Sequence, residues 1–203
     1  MEDDGSFSVN SCYRILEMWS LIDDNIPESE ERVLALIWKG QSPLKVLAFV
    51  WTLLLDRIPT RMDLAFRGVL NEEASKSCVV CGREEETASH LFLHCDVVMR
   101  IWQRMMCWLE FHFLNNLFVH FECWLNEATS KKLRRGFCLI RLASIWVIWK
   151  QRNEIIFNNG MVDIDIFIEK IKILAWYWSM SELKIASCLY YEWYWNPREC
   201  LLR

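Results

Sequence analysis

Apolar residues recur three and four positions apart along most of this chain, which is the spacing of one face of an α-helix. The clearest segments before residue 110 begin at Ser11, at Pro27, at Ser42 and at Val97. The segment from Ser42 to about Leu55 is apolar nearly all round, so it is expected to be a central, buried helix. The pattern predicts an all-α protein.

Capping residues divide the pattern into separate helices. Ser42-Pro43, Thr60 and Ser130 each stand where a side-chain oxygen or a proline favours a helix start. The helix that begins after Ser130 is predicted to reach Asn158 or Asn159 and to stop at Gly160, with Gly136 weakening it by about 1 kcal/mol.

Two further helices are predicted in the second half of the chain, and one aromatic run there is predicted not to be helical. One spans Leu117 to Ala128, and a last long helix starts at Asp163 or Asp165. The run from Tyr190 to Trp195 is followed by Asn196-Pro197 and is predicted to be an extended tail.

The chain is predicted to have two parts. A first domain covers residues 1–111 and a helical region covers residues 117–203, packed on the first as one unit. The polar residues 112–116 mark the boundary.

A polar stretch of the first part contains three thiols and an imidazole at metal-ligand spacing: Cys78, Cys81, His90 and Cys95. Three thiolates and one ring nitrogen are the ligands of a closed, structural Zn²⁺ site. Gly82 follows the Cys-x-x-Cys turn and can take the positive φ that its exit needs. His94 is a rival ligand, but it neighbours Cys95, and two adjacent residues seldom both face one ion. The alternative is that these are ordinary reduced cysteines.

Composition points to a reducing compartment. The chain has nine cysteines, and its acidic first residues lack the pattern of a secretory signal. No apolar run is long enough to span a bilayer. The protein is expected in the nucleus or cytoplasm, without a membrane partner or a small-molecule substrate.

Positive charge is concentrated after the cysteine stretch. Residues 1–31 carry nine acids and one base, whereas residues 96–160 carry nine bases and five acids. The candidate phosphate contacts are Lys131, Lys132, Arg134, Arg135, Arg141 and Arg152. On an ideal helix Arg134, Arg141 and Arg152 lie within about 20° of one another. The alternative is a solvated helix face whose long side chains cover apolar neighbours.

Catalytic motifs are not found in the sequence. It has no Walker loop, no G-x-S-x-G, no H-E-x-x-H and no Tyr-x-Asp-Asp of a polymerase palm. No catalysis is expected.

The order of residues around the cysteines also resembles a known family. The matching positions are Pro43, Lys45, Val46, Phe49, Trp51, Pro59, Thr60, Leu64, Arg67, Gly68, Cys78, Cys81, Glu86, His90, Leu91, Phe92, Cys95 and Trp102. They resemble the zinc-binding domain that follows the polymerase in plant LINE-type (non-LTR) retrotransposon reverse transcriptases. The segments Gly5–Tyr13 and Ile148–Phe157 and the residues near the end of the chain are similar to neighbouring parts of such reading frames.

The resemblance implies a non-catalytic zinc-binding protein that contacts RNA or DNA. Two alternatives stay open. In the first, the zinc loop serves only to stabilise a helical protein–protein interaction module. In the second, the chain is a decayed retrotransposon fragment without a selected role.

Overall fold

The computed structural model describes residues 33–34, 37–38, 41–71, 73–110 and 130–203. In those ranges the chain is helical, and its one isolated β-bridge joins Ser77 to Glu85. The structure confirms the predicted all-α fold with one small loop that carries the four candidate metal ligands. The helices predicted before residue 33 and from Leu117 to Ala128 lie outside the described residues.

The helices of the described part follow in chain order. They are α1 Leu44–Leu54, α2 Arg61–Phe66, a π-helical turn His90–His94, α3 Asp96–Leu109, α4 Lys131–Asn158, α5 Ile164–Ser181, α6 Tyr190–Trp195 and α7 Pro197–Leu202.

Three predicted helix starts are confirmed by their capping bonds. The Thr60 hydroxyl accepts from the Asp63 N–H at 3.2 Å, and the Ser130 hydroxyl accepts from the Leu133 N–H at 3.2 Å. The Asp163 carboxylate accepts from the N–H of Asp165 at 2.8 Å. Each cap satisfies a backbone donor that the first turn leaves unpaired.

One predicted N-cap and one predicted stop residue differ by one position. α1 has Pro43 rather than Ser42 at its N-cap, and the Ser42 side chain is buried. α4 ends at Asn158 as predicted, but Asn159 takes the left-handed conformation, with φ 50°. Asparagine tolerates this conformation better than most residues, so Gly160 is not required for the turn.

The extended tail predicted for Tyr190–Trp195 is wrong, because this segment is helix α6. The Glu192 carboxylate accepts from the Leu189 N–H at 2.9 Å and so fixes the first turn. Trp193 is fully buried, and its indole N–H donates to the Lys172 carbonyl at 3.0 Å. Asn196-Pro197 marks the junction between α6 and α7, and the burial of the Trp193 ring accounts for the helix before it.

Helix α4 lies at the centre of the described fold. It packs against α1, α5 and α7, while α3 packs against α5 and the π turn. At Gly136 an added Cβ would lie 2.4 Å from a methyl group of Leu201. Glycine in this helix is explained by the close approach of α7.

The predicted division at residues 112–116 falls outside the described residues and stays a prediction. On either side of that gap the helices share one core, because α1 contacts α4 and α3 contacts α5. Residues 33–203 thus form one compact unit. Among the described helices, none is both long and apolar enough to cross a bilayer.

Candidate metal centre

The side chains of Cys78, Cys81, His90 and Cys95 converge on one point. Their ligand atoms all lie within 4.8 Å of one another. The Cys81 sulfur lies 3.3 Å from Nε2 of His90, which identifies Nε2 as the ring nitrogen that faces the thiols. Cys78 and Cys95 are fully buried, and Cys81 and His90 are half-buried.

A tight turn brings the first two cysteines together. The Gly82 N–H donates to the Cys78 carbonyl at 2.7 Å, and the Cys78 N–H donates to the Glu84 carbonyl at 2.7 Å. Gly82 has φ +70°, and an added Cβ there would meet nothing within 4 Å. Glycine is therefore favoured at this position by the positive φ alone, as the sequence predicts.

The π turn presents His90 and Cys95 to the same point. In an α-helix, residues five apart point roughly 140° away from each other. In a π turn the hydrogen bond runs from residue i to residue i+5, so such residues lie nearly above one another. Here the Cys95 N–H donates to the His90 carbonyl at 2.7 Å. The H-x4-C spacing becomes a ligand pair because of this local widening.

Trp102 of α3 supports the π turn from the core side. Its indole N–H donates to the Phe92 carbonyl at 2.7 Å, and both rings are buried. The carbonyls of a single π turn lack the regular partners of a helix, so a buried donor from α3 satisfies one of them.

Replacing Trp102 with phenylalanine is expected to lower the free energy of unfolding by about 1–3 kcal/mol, the penalty for leaving a buried carbonyl without its donor. Urea denaturation followed by circular dichroism measures the change. Trp195→Phe is the matched control, because Trp195 is 64% exposed and its loss is expected to have little effect. Equal stability of the two variants would contradict the support role of Trp102.

Burial and hydrogen bonding shift the pKa values of the cluster in different directions. The hydrogen bond between the Cys78 and Cys95 thiols raises the pKa of Cys78, with burial adding to the increase. The same bond lowers the pKa of Cys95, and the N–H groups of Val98 and Val97 at the start of α3 lower it further. Burial lowers the pKa of His90, which keeps its imidazole neutral and able to donate a lone pair.

The donor set fits Zn²⁺. Tetrahedral bonds of about 2.0–2.3 Å hold sulfur and nitrogen ligands roughly 3.3–3.8 Å apart. The four ligand atoms are already that close or need to move by only about an ångström. His94, in contrast, is exposed, and its Nδ1 lies 3.2 Å from the hydroxyl oxygen of Ser89. The structure places His90, and not His94, beside the sulfurs.

The comparison with protein families agrees with this geometry. Residues 7–102 match the family described as zinc-binding in reverse transcriptase, and the match includes every residue of the cluster and Trp102. This part of the chain is similar to the zinc-binding domain of reverse transcriptases. The match confirms the family predicted from the resemblance and covers just under half of the chain. The plant LINE origin stays a prediction.

The reverse-transcriptase zinc-binding domain is separate from the catalytic domain of such enzymes. No curated protein and no solved structure matches the chain.

A buried ion pair joins the zinc-binding domain to helix α4. Glu86 is completely buried, and its Oε1 accepts from Arg152 at 2.5 Å and from the Arg61 N–H at 3.1 Å. Its Oε2 accepts from the Val79 N–H at 3.3 Å, inside the cysteine turn. One carboxylate thus ties the metal loop to the start of α2 and to α4.

This pair was not predicted from the sequence. The run Glu84 to Glu86 had the composition of a solvated loop, yet Glu86 points inward while Glu84 and Glu85 are exposed. Two signals were present in the sequence: Glu86 belongs to the family pattern, and Arg152 follows a long apolar run. Only the fold brings these residues together.

The structure corrects two of the predicted nucleic-acid contacts. Arg141 and Arg152 are only 1% and 3% exposed, so neither can reach a phosphate group. The predicted row assumed an isolated helix, but neighbouring helices bury every residue of α4 from Leu139 to Trp149 except the half-buried Trp146. The other four residues are exposed at the start of α4 and remain candidates: Lys131, Lys132, Arg134 and Arg135.

Stability in the presence of excess zinc is expected to fall as the pH drops from 7.5 to 5.5. Burial holds the pKa of His90 in the folded protein below the value near 6.5 that it has in the unfolded chain. Between these two pKa values the unfolded chain binds more protons, so a fall in pH favours unfolding. Protons also compete with the metal for the thiolates. Urea midpoints across this range measure the slope.

The matched control for this pH dependence is His94→Ala, which is expected to keep the slope of the unchanged protein. A midpoint that is flat from pH 7.5 to 5.5 would contradict the assignment of a buried, neutral His90.

Proposed function

We propose that the domain holds one structural Zn²⁺ through the sulfurs of Cys78, Cys81 and Cys95 and Nε2 of His90. The observation that carries this proposal is the convergence of these four ligand atoms within 4.8 Å. Three thiolates and one imidazole complete a tetrahedron and leave no position for a substrate. The ion would fix a polar loop between α2 and α3.

The protein is then a non-catalytic module of a LINE-type retrotransposon reverse transcriptase. The family match and the resemblance of the flanking segments support this origin. The ion, by tying the cysteine turn to the π turn, supports the shape of the helical unit and takes no part in bond breaking.

Metal analysis of the purified protein tests the zinc site. We expect one zinc per chain in the unchanged protein and loss of that zinc in His90→Ala. His94→Ala is the matched control, since it removes a neighbouring imidazole that faces away from the sulfurs, and it is expected to retain the metal. Retention by both variants, or loss from both, would contradict the assignment.

A second proposed role is contact with RNA or DNA through the exposed start of α4. Lys131, Arg134 and Arg135 stand in or near the first helical turn, where the helix dipole disfavours positive charge. A cluster of cations at this unfavourable position is better explained by an anionic partner than by helix stability. Phosphate groups are such a partner.

The salt dependence of oligonucleotide binding tests this role. We expect the logarithm of the affinity to fall linearly with the logarithm of the salt concentration, with a slope that reports several phosphate contacts. Arg134→Gln/Arg135→Gln is expected to weaken binding and flatten the slope. Arg57→Gln/Arg100→Gln removes the same charge from other exposed positions and is the control. Salt-insensitive self-association without nucleic-acid binding would favour the protein–protein alternative.

A further inference from the structure

An open groove of about 430 Å³ runs between helices α4 and α5. Its walls carry three aromatic rings, those of Trp146, Trp176 and Tyr177, together with the apolar side chain of Ile173. Tyr177 and Ile173 are 63% and 45% exposed. A concave surface lined by exposed aromatic rings is a candidate binding site.

The structure separates five tryptophans of α3, α4 and α5 into two groups. Trp102, Trp149 and Trp178 are buried and belong to the core. Trp146 and Trp176 are half-buried and face the groove. Helical spacing alone favours the core for all five, so the distinction depends on how α4 and α5 pack.

The two groove tryptophans are held in place from behind. The Trp176 N–H donates to the Cys188 carbonyl at 3.1 Å, and its ring packs edge-on against Tyr190 at 5.6 Å. Trp146 packs edge-on against Phe49 at 5.6 Å. Rings fixed in this way lose little freedom when a flat group stacks on them.

The charges along the groove are positive. Lys150 and Lys170 line it, and Lys45 lies 5.8 Å from the centre of the Trp146 ring. No acidic side chain of the described residues lines this groove. Aromatic rings flanked by cations are suited to a partner that is both flat and anionic.

A second cavity lies near the basic start of α4. Lys132 and Arg135 line a second cavity of about 150 Å³ with Lys184, which follows α5. On an ideal helix Arg135 and Trp146 lie about 20° apart and about 16 Å apart along the axis. Leu139 and Leu142 stand between them on this side of α4 and are buried. The basic start of α4 and the groove are therefore two separate exposed surfaces.

We propose that the groove between α4 and α5 binds single-stranded nucleic acid, with bases stacked on Tyr177, Trp146 and Trp176 and phosphates beside Lys150 and Lys170. This inference rests on the nucleic-acid contact proposed above and names the site and the form of the ligand. Duplex bases are stacked on each other and cannot reach these rings, whereas unpaired bases can. An acidic peptide would use the lysines without needing the aromatic faces.

Fluorescence anisotropy with a labelled single-stranded oligonucleotide of mixed sequence tests the groove, with the duplex of the same sequence measured in parallel. Tyr177→Ala is expected to weaken single-strand binding roughly 5- to 150-fold, which corresponds to about 1–3 kcal/mol for one stacked base. Duplex binding is expected to change little. Tyr191→Ala is the matched control, because Tyr191 is 72% exposed and lies outside the groove.

The outcomes separate this inference from the proposed function. If Arg134→Gln/Arg135→Gln weakens binding but Tyr177→Ala behaves like Tyr191→Ala, the proposed binding site in the groove is contradicted. The proposed phosphate contact at the start of α4 is then supported. If the unchanged protein binds neither form of nucleic acid, both are overturned. If Tyr177→Ala weakens binding of a labelled polyglutamate peptide and not of the oligonucleotide, the groove belongs to an acidic protein partner and the inference fails.

Discussion

Replacing Cys78 with serine is expected to remove the zinc and most of the stability of the folded unit. A serine hydroxyl does not replace a thiolate as a zinc ligand, and Cys78 is fully buried between the other three ligands. Structural zinc contributes roughly 10–16 kcal/mol of apparent free energy in zinc peptides, whereas whole domains are stable by about 5–15 kcal/mol. Loss of the ion is therefore large on the scale of the whole fold.

The loss of order in Cys78→Ser is expected to begin at the metal-binding loop, residues 78–95. Residues 82–85 of the metal-binding loop are exposed and bury no apolar surface, so this part of the loop is expected to depend on the ion for order. Hydrogen exchange of the Cys95 amide, which donates to His90, is expected to accelerate first. Urea denaturation followed by tryptophan fluorescence gives the overall change.

Cys107→Ser is the matched control for this experiment. Cys107 is exposed on α3 and lies outside the cluster, so its replacement is expected to leave the zinc content and the urea midpoint unchanged. A Cys78→Ser protein that unfolds at the midpoint of Cys107→Ser would contradict a structural role for the metal.

Glu86→Gln is expected to lower the free energy of unfolding by about 3–5 kcal/mol, because it leaves the buried Arg152 guanidinium without its counter-ion. The substitution keeps the size of the side chain and removes only its charge. Arg152 then remains 3% exposed, with the Pro59 carbonyl and the Asn153 side chain as its other acceptors. Urea denaturation of the zinc-loaded protein measures the difference.

A double-mutant cycle tests whether the cost comes from the pair. Adding Arg152→Met to Glu86→Gln is expected to recover part of the loss, since the unpaired charge is then removed. Glu85→Gln is the matched control, because Glu85 is exposed and such changes usually stay within about 0.5 kcal/mol. Additive losses in the cycle would contradict direct coupling of Glu86 and Arg152.

The π turn shows how far the sequence could lead toward the metal centre. The spacing from His90 to Cys95 is too long for ligands on one face of an α-helix, and the preference for His90 over His94 depended on the position of Cys95. The widened turn that makes the spacing work is held by the Trp102 bond to Phe92. That bond joins residues ten apart and forms only when α3 packs against the loop.

Helix α6 shows the opposite case, in which a local signal was applied to residues that it does not govern. Asn196-Pro197 is a good indicator of a chain turn, and it does separate α6 from α7. It says nothing about the residues before it. Their helix is decided by the burial of Trp193 against α5, which no local pattern reveals.

By itself the sequence determined what depends on neighbours along the chain: the helical periodicity, the caps at Thr60, Ser130 and Asp163, and the four residues able to bind metal. The tertiary structure decided which charged and aromatic side chains are hidden. Arg152 was predicted to contact phosphate, but it meets Glu86, which is 66 residues away, in the core. The reason is physical: no face of a helix is buried until neighbouring elements cover it. Burial then decides whether a charged side chain forms an ion pair or faces solvent.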